Sequence, residues 1–138
     1  MLVIRTPQEV YRQVDFDARV YGANPQQLVD LCLEQFEVSI SRALFADTNG
    51  ENILKSTSMA RAIAALTSLI LGIDSASPVS SALSQLYNAA RRTVLDSVVR
   101  FDRKALSQVR ADFHEIRLAL LTASAAPVTS ERDQRGQT

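Results

Sequence analysis

The feature that most constrains the fold of this chain is an apolar pattern between residues 52 and 72. Steps of three and four residues place side chains on one face of an α-helix. A sustained pattern of this kind is typical of helices that pack lengthwise against other helices. Alanines at positions 60, 62, 64 and 65 keep the helix slim, which permits close packing. The pattern therefore predicts a long core helix with the apolar series Met59, Ile63, Leu66, Ile70 and Ile73.

Three further helices are predicted from residues that begin and end helices. Asn24-Pro25 and Ser77-Pro78 each combine a capping residue with a proline, which is tolerated in the first turn of a helix. Asp102 is a plausible cap for the last helix. The apolar series are Val29, Leu33, Phe36, Ile40 and Ala43 in the first helix, Leu83, Tyr87, Ala90, Val94, Val98 and Phe101 in the third, and Leu106, Val109, Phe113, Ile116 and Leu120 in the fourth.

Long helices with short connections pack as antiparallel neighbours. We therefore predict an all-α fold, an antiparallel up-down four-helix bundle with a short N-terminal arm or helix. The predicted boundaries are 1–23 for the arm, 24–123 for the bundle and 124–138 for a disordered polar tail. Tyr11 and Val14 give the arm too little apolar surface to be stable alone, so we expect it to dock on the bundle or on a partner.

Composition excludes several classes of protein. The 138 residues fit one domain. Because 15 basic residues balance 15 acidic ones, the chain lacks the net positive charge that is typical of a nucleic-acid-binding protein. We see neither a signal peptide nor a run of about 18 apolar residues that would span a membrane. The single cysteine, Cys32, cannot form an internal disulfide and fits a reducing compartment. A soluble cytoplasmic protein is expected.

The residues that carry chemistry are too few for a catalytic, metal or cofactor site. One histidine, His114, cannot build a di-iron or zinc site. A pair of Cys32 with His114 is disfavoured because both lie in apolar helical surroundings. Phosphotransfer through His114 stays an open alternative, although Asp112 and Glu115 beside it would repel a phosphoryl group. We expect neither catalysis nor a cofactor.

Apolar residues beside the main helix seams indicate grooves for an amphipathic partner. They are Leu28, Leu31, Ile53, Leu54, Leu69, Leu86 and Leu121. Arg91 and Arg92, with Arg100 and Arg103, form a basic patch on or near the third helix. This patch is read either as a solvated face or as a contact for an acidic partner.

Two segments resemble FliS-type flagellar secretion chaperones. Residues 24–40, NPQQLVDLCLEQFEVSI, are similar to the S/T-P-x-x-L-[IV]-x-M-L-[YF]-[DN]-G start of that family's first long helix. Residues 81–92, SALSQLYNAARR, are similar to its N-L-x-x-L-Y-D-Y-M-x-R-R run. Tyr11 stands where longer-armed members carry an Ala-Tyr pair, and Ile73-Asp74 matches the Leu-Asp that closes their second helix. The resemblance covers roughly residues 10–122.

The resemblance implies a cytosolic chaperone that binds the disordered C-terminal segment of flagellin, prevents premature polymerisation and aids delivery to the export gate. The implied partners are flagellin and an export gate protein, without nucleic acid or membrane insertion. Another helical binding module, a His phosphotransfer domain and a homodimer of the free chain stay open. The expected partner-binding residues are Tyr11, Val14, Leu28, Leu31, Leu83, Leu86, Tyr87, Ala90 and Arg91.

Overall fold

Four long helices make up most of the structure. It is a computed structural model that describes residues 7, 10, 16–19, 21–22 and 24–136, with side chains to residue 122. The helices are α1 (Pro25–Thr48), α2 (Asn52–Leu71), α3 (Ser80–Val99) and α4 (Arg103–Gly136). Consecutive helices pack together and α4 also packs against α1, while these described residues contain no strand. The predicted all-α bundle is confirmed.

Side-chain caps set the starts of α1 and α4 where the sequence predicts them. The Asn24 side chain accepts a hydrogen bond from the Gln27 backbone N–H at 2.8 Å, and the Gln27 side chain accepts one from the Asn24 backbone N–H at 3.0 Å. The Asp102 carboxylate accepts from the Ala105 backbone N–H at 3.0 Å. These bonds satisfy backbone donors that a helix start leaves unpaired.

The predicted start of α3 at Ser77-Pro78 is wrong, because the helix begins at Ser80. The Asp74 side chain accepts from the Ala76 N–H at 3.0 Å, and the Ser77 hydroxyl accepts from the Val79 N–H at 3.4 Å. Such local bonds compete with helical ones. They form a turn, and the helix begins after this turn, at Ser80.

The C-terminal end of α4 also differs from the sequence prediction. Its backbone is helical to Gly136, beyond the predicted bundle boundary at residue 123. The division of the chain into arm, bundle and polar tail stays a prediction.

The centre of the bundle is an aromatic cluster surrounded by aliphatic side chains. The Phe36 and Phe113 rings lie 4.5 Å apart and the Tyr87 and Phe113 rings 5.9 Å apart, measured between centroids. These distances suit tilted aromatic pairs. The cluster joins α1, α3 and α4, and its fully buried aliphatic neighbours include Leu33, Ile40, Leu66, Val94 and Leu106.

The contact between α1 and α2 is the most extensive helix contact in the described chain, and both helices bury several small side chains. Side chains of this size let two helix backbones approach closely. Of the four alanines expected to keep α2 slim, Ala62 and Ala65 are buried, whereas those at positions 60 and 64 are exposed. The small buried residues are Ser39, Ala43 and Ala46 on α1, and Ser58, Ala62 and Ala65 on α2.

Among the described helices, α2 is the one long and apolar enough to cross a membrane by length and composition alone. Met59, Leu66 and Leu69 of this helix are buried inside the bundle. A core helix of a soluble bundle has these same properties, so α2 is weak support for a membrane span.

Candidate partner-binding site

A pocket of about 450 Å³ opens at one end of the bundle. At this end α1 and α3 begin, α2 ends and α4 reaches residue 121, and we call it the end pocket. Leu33, Leu69 and Tyr87 are almost fully buried and form its floor. Its other apolar lining residues are Val29, Ile73, Leu83, Leu120 and Leu121.

The wall contributed by α4 is apolar and open to water. Leu120 is 40% exposed and Leu121 is 48% exposed. Asp30 and Asp74 supply carboxylates among the lining residues. A concave apolar surface with a few polar groups is typical of a site that receives an apolar segment and orients it by hydrogen bonds.

A shallower groove adjoins the end pocket and shares Gln26, Asp30 and Leu121 with it. Its lining includes Ala18 and Arg19 from the segment before α1. The Arg19 guanidinium donates a hydrogen bond to the Glu34 carboxylate at 2.8 Å. This contact holds the described part of the N-terminal segment beside α1, close to the end pocket.

A charged network joins α1 to α4 beside these two depressions. The Arg117 Nε donates to Asp30 Oδ1 at 2.7 Å, and the guanidinium is 3.7 Å from the carboxylates of both Glu34 and Glu37. The hydrogen bonds to Asp30, followed by the nearby negative charges, raise the pKa of Arg117. The network connects α4 to α1, and Asp30 is the member of it that also lines the end pocket.

The two residues considered for chemistry lie in different environments. Burial raises the pKa of the Cys32 thiol, which keeps it protonated and unreactive at neutral pH. His114 is exposed, and its Nδ1 lies 2.7 Å from Glu37 Oε1. Among the described residues, no three metal-binding side chains come together.

The structure brings together only some of the residues predicted to bind a partner. Leu83 and Tyr87 line the end pocket and Leu31 lines the adjoining groove, but Leu31 and Tyr87 are almost fully buried. Tyr11 and Val14 lie outside the described residues. The remaining predicted residues lie in the core or are partly buried beside it: Leu28, Leu86, Ala90 and Arg91.

Sequence reasoning missed the role of three residues in the end pocket. Val29, Ile73 and Leu120 were expected to belong to the core seams. Val29 and Ile73 do pack against the core, but all three residues also line the opening. The available signal was their position at the end of each apolar series, where neighbouring helices stop covering them.

Comparison with known proteins identifies the family. The family described as flagellar protein FliS matches residues 7–126, which include every residue that lines the end pocket. The chain belongs to the FliS family. One relative, the flagellar secretion chaperone FliS of Salmonella typhimurium, is 26% identical over 104 residues. That alignment covers 73% of this chain and 77% of the relative. The predicted family resemblance is confirmed.

Proposed function

We propose that this FliS-family protein is a cytosolic flagellar secretion chaperone that binds the C-terminal segment of flagellin. It holds that segment in a form that cannot polymerise and presents it to the export gate, with no covalent chemistry. The observation that carries the proposal is the open, apolar end pocket in a chain of this family. The chaperone role of the Salmonella relative supports it.

The apolar lining supplies the driving force for binding. Burying one large apolar side chain of the client would contribute about 1.5–3 kcal/mol before the loss of client entropy is subtracted. A disordered client loses conformational freedom on binding, so several of its side chains must be buried together. Leu120 and Leu121 offer such a surface at the pocket mouth.

Calorimetry with a flagellin C-terminal segment tests the proposal. Leu121→Glu places a charge in the pocket wall at a position that is half exposed, so the bundle should still fold. Leu118→Glu is the matched control, because Leu118 is 51% exposed on the same helix but does not line the pocket. We expect at least about tenfold weaker binding for the first variant, equal to about 1.4 kcal/mol, and little change for the control.

The wild-type complex should also show a negative heat-capacity change, which reports apolar burial. The flagellin site is refuted if Leu121→Glu binds as the wild-type chain does. Absence of any binding to flagellins of the source organism at tens of micromolar would refute the chaperone role itself.

The N-terminal arm supplies a further part of this proposal. We propose that residues 8–17 shield apolar surface in the free chaperone, and that flagellin releases them so that Tyr11 contacts the export gate. The bond from Arg19 to Glu34, which holds the adjoining segment beside the end pocket, supports this placement. Hydrogen exchange should become faster in the arm when flagellin is added, and unchanged or slower exchange would contradict release.

Tyr11→Ala tests the gate contact separately. The variant should fold and bind flagellin, since the proposal assigns client binding to the end pocket and gate contact to Tyr11. Its loaded complex should bind the gate protein more weakly than the loaded wild-type complex does. Equal gate binding by the two complexes would exclude a role for Tyr11.

A further inference from the structure

A second candidate surface, part basic and part apolar, lies on one face of α3. Its members recur at steps of three and four residues, so they share one face of the helix. Val99 is 91% exposed and Val98 57% exposed, which leaves the C-terminal half of this face largely uncovered. We call this face the α3 stripe, and it consists of Asn88, Arg91, Arg92, Leu95, Val98 and Val99.

The α3 stripe continues into a groove of about 300 Å³ between α2 and α3. Val98 and Val99 belong to both surfaces, and Met59 and Ile63 supply apolar lining from α2. None of the groove-lining residues belongs to the end pocket. The two depressions are therefore separate.

The α3 stripe and the residue that follows its helix carry an excess of positive charge, while Lys55 in the groove is paired with Asp47. Within the described chain, Arg91, Arg92 and Arg100 form no ion pair. The Nε atom of Arg91 is buried and has no hydrogen-bond partner there. Asp96 is the single carboxylate in the sequence of α3, and the sequence of α2 contains no Asp or Glu. A partner with carboxylates would meet little repulsion and would compensate these cations.

We propose that the α3 stripe and its groove bind an acidic amphipathic helix of a second protein. The apolar face of that helix covers Leu95, Val98 and Val99, and its flanking Asp or Glu side chains pair with Arg91 and Arg92. A helix fits because its side chains at steps of three, four and seven residues match the spacing of the stripe. The site is independent of the proposed flagellin site.

The same charges disfavour a second copy of this chain as the occupant. A two-fold contact would place one α3 stripe against another, because a symmetric dimer uses the same patch on both subunits. Such a contact would bring Arg91 and Arg92 of both copies into one partly desolvated interface. Like charges brought together in this way are repulsive.

Two synthetic helical peptides of roughly 15 residues, about 22 Å long, test the proposal. Both carry the same apolar face, and the flanking positions are Glu in one peptide and Lys in the other. By fluorescence anisotropy at low salt, the full chain should bind the Glu peptide at least about tenfold more tightly, a difference of about 1.4 kcal/mol. Backbone amide shifts on binding should be largest between residues 91 and 99.

Three variants locate the interaction. Arg92→Glu should remove or reverse the preference for the Glu peptide, and Val99→Glu should weaken its binding about tenfold. Leu71→Glu is the matched control, because Leu71 is 81% exposed and lies outside both the groove and the end pocket. Circular dichroism verifies that each variant is folded, which is expected because Val99, Arg92 and Leu71 are exposed.

Equal binding of the two peptides, or amide shifts that map to the end pocket, would overturn the proposal. A free chain that sediments as a dimer and becomes monomeric with Val99→Glu would show instead that the stripe is a self-interface. Leu121→Glu should bind the Glu peptide as tightly as the wild-type chain does. The peptide test therefore remains valid even if the proposed flagellin site is refuted.

Discussion

Arg117 on α4 makes two hydrogen bonds to the carboxylate of Asp30 on α1, from Nε to Oδ1 at 2.7 Å and from Nη2 to Oδ2 at 3.3 Å. Near the opposite ends of the same helices, Arg103 is 3.0 Å from Asp47. The two pairs show that α4 runs antiparallel to α1. Asp30 also lines the end pocket. The same ion pair therefore both joins α1 to α4 and positions a side chain of the proposed client site.

A double-mutant cycle should measure the coupling between Arg117 and Asp30. We expect Arg117→Met and Asp30→Asn each to lower the free energy of unfolding, and the pair to show a coupling of about 1 kcal/mol, because the ion pair is bidentate but only partly buried. Urea unfolding of the four proteins checks it. A coupling of zero would mean that solvent screens the pair.

Phe113→Ala should be among the most destabilising single changes. Phe113 is 1% exposed and contacts two aromatic rings, so its loss should lower the unfolding free energy by about 3–5 kcal/mol. Leu118→Ala on the same helix is the control, and it should change stability by no more than about 0.5 kcal/mol because Leu118 is half exposed. Similar losses for the two variants would contradict the described core.

Stability should depend on pH through Asp47. Hydrogen bonds from Lys55 and then Arg103 hold the pKa of Asp47 below its usual value. A proton therefore binds this carboxylate more tightly in the unfolded chain. The stabilising contribution is complete above the unfolded pKa of about 4 and is lost as pH falls through the lower folded pKa.

Asp47→Asn should consequently be less stable than the wild-type chain at neutral pH, and the difference should shrink on acidification. Urea unfolding at a series of pH values from roughly 6 to 3 measures this difference. Lys55→Gln should remove part of the pH-dependent difference, because it removes the largest cause of the shift. A difference that stays constant with pH would show that Asp47 is not stabilised by its partners.

His114→Ala should leave flagellin binding unchanged. The residue faces Glu37 on the seam between α1 and α4, and it does not line the end pocket. Because His114 is 57% exposed on its side chain, its loss should change stability by at most about 1 kcal/mol. Glu37 adds a carboxylate near the ring, so we also expect no phosphate transfer to His114. Labelled phosphate on this residue after incubation with cellular kinases would contradict that.

Local sequence determined where most helices begin. The caps at Asn24 and Asp102 depend on residues three positions away, so short-range chemistry was sufficient to place α1 and α4. The predicted start of α3 was wrong because side chains such as Asp74 and Ser77 can accept backbone hydrogen bonds either at a helix start or within a turn. The local sequence is compatible with both structures.

The candidate site was only partly predictable. Leu83 and Tyr87 were expected to contact a partner and do line the end pocket, whereas Ala90 was expected beside them and is buried. A wide apolar stripe on a helix contains both residues that line a pocket and residues that are buried in the core. Which of them a neighbouring helix covers depends on packing between segments that are distant in sequence.

Periodicity by itself determined the direction in which each side chain leaves its helix, and so it predicted the bundle and placed Phe36 and Phe113 on the core faces of their helices. Only the tertiary structure decided how far each helix is shifted along its axis relative to its neighbours. That shift leaves Val29, Ile73 and Leu120 around an opening, although their spacing is that of core residues. The reason is physical: apolar spacing specifies an angle around a helix axis, while exposure at a bundle end depends on where the adjacent helices stop.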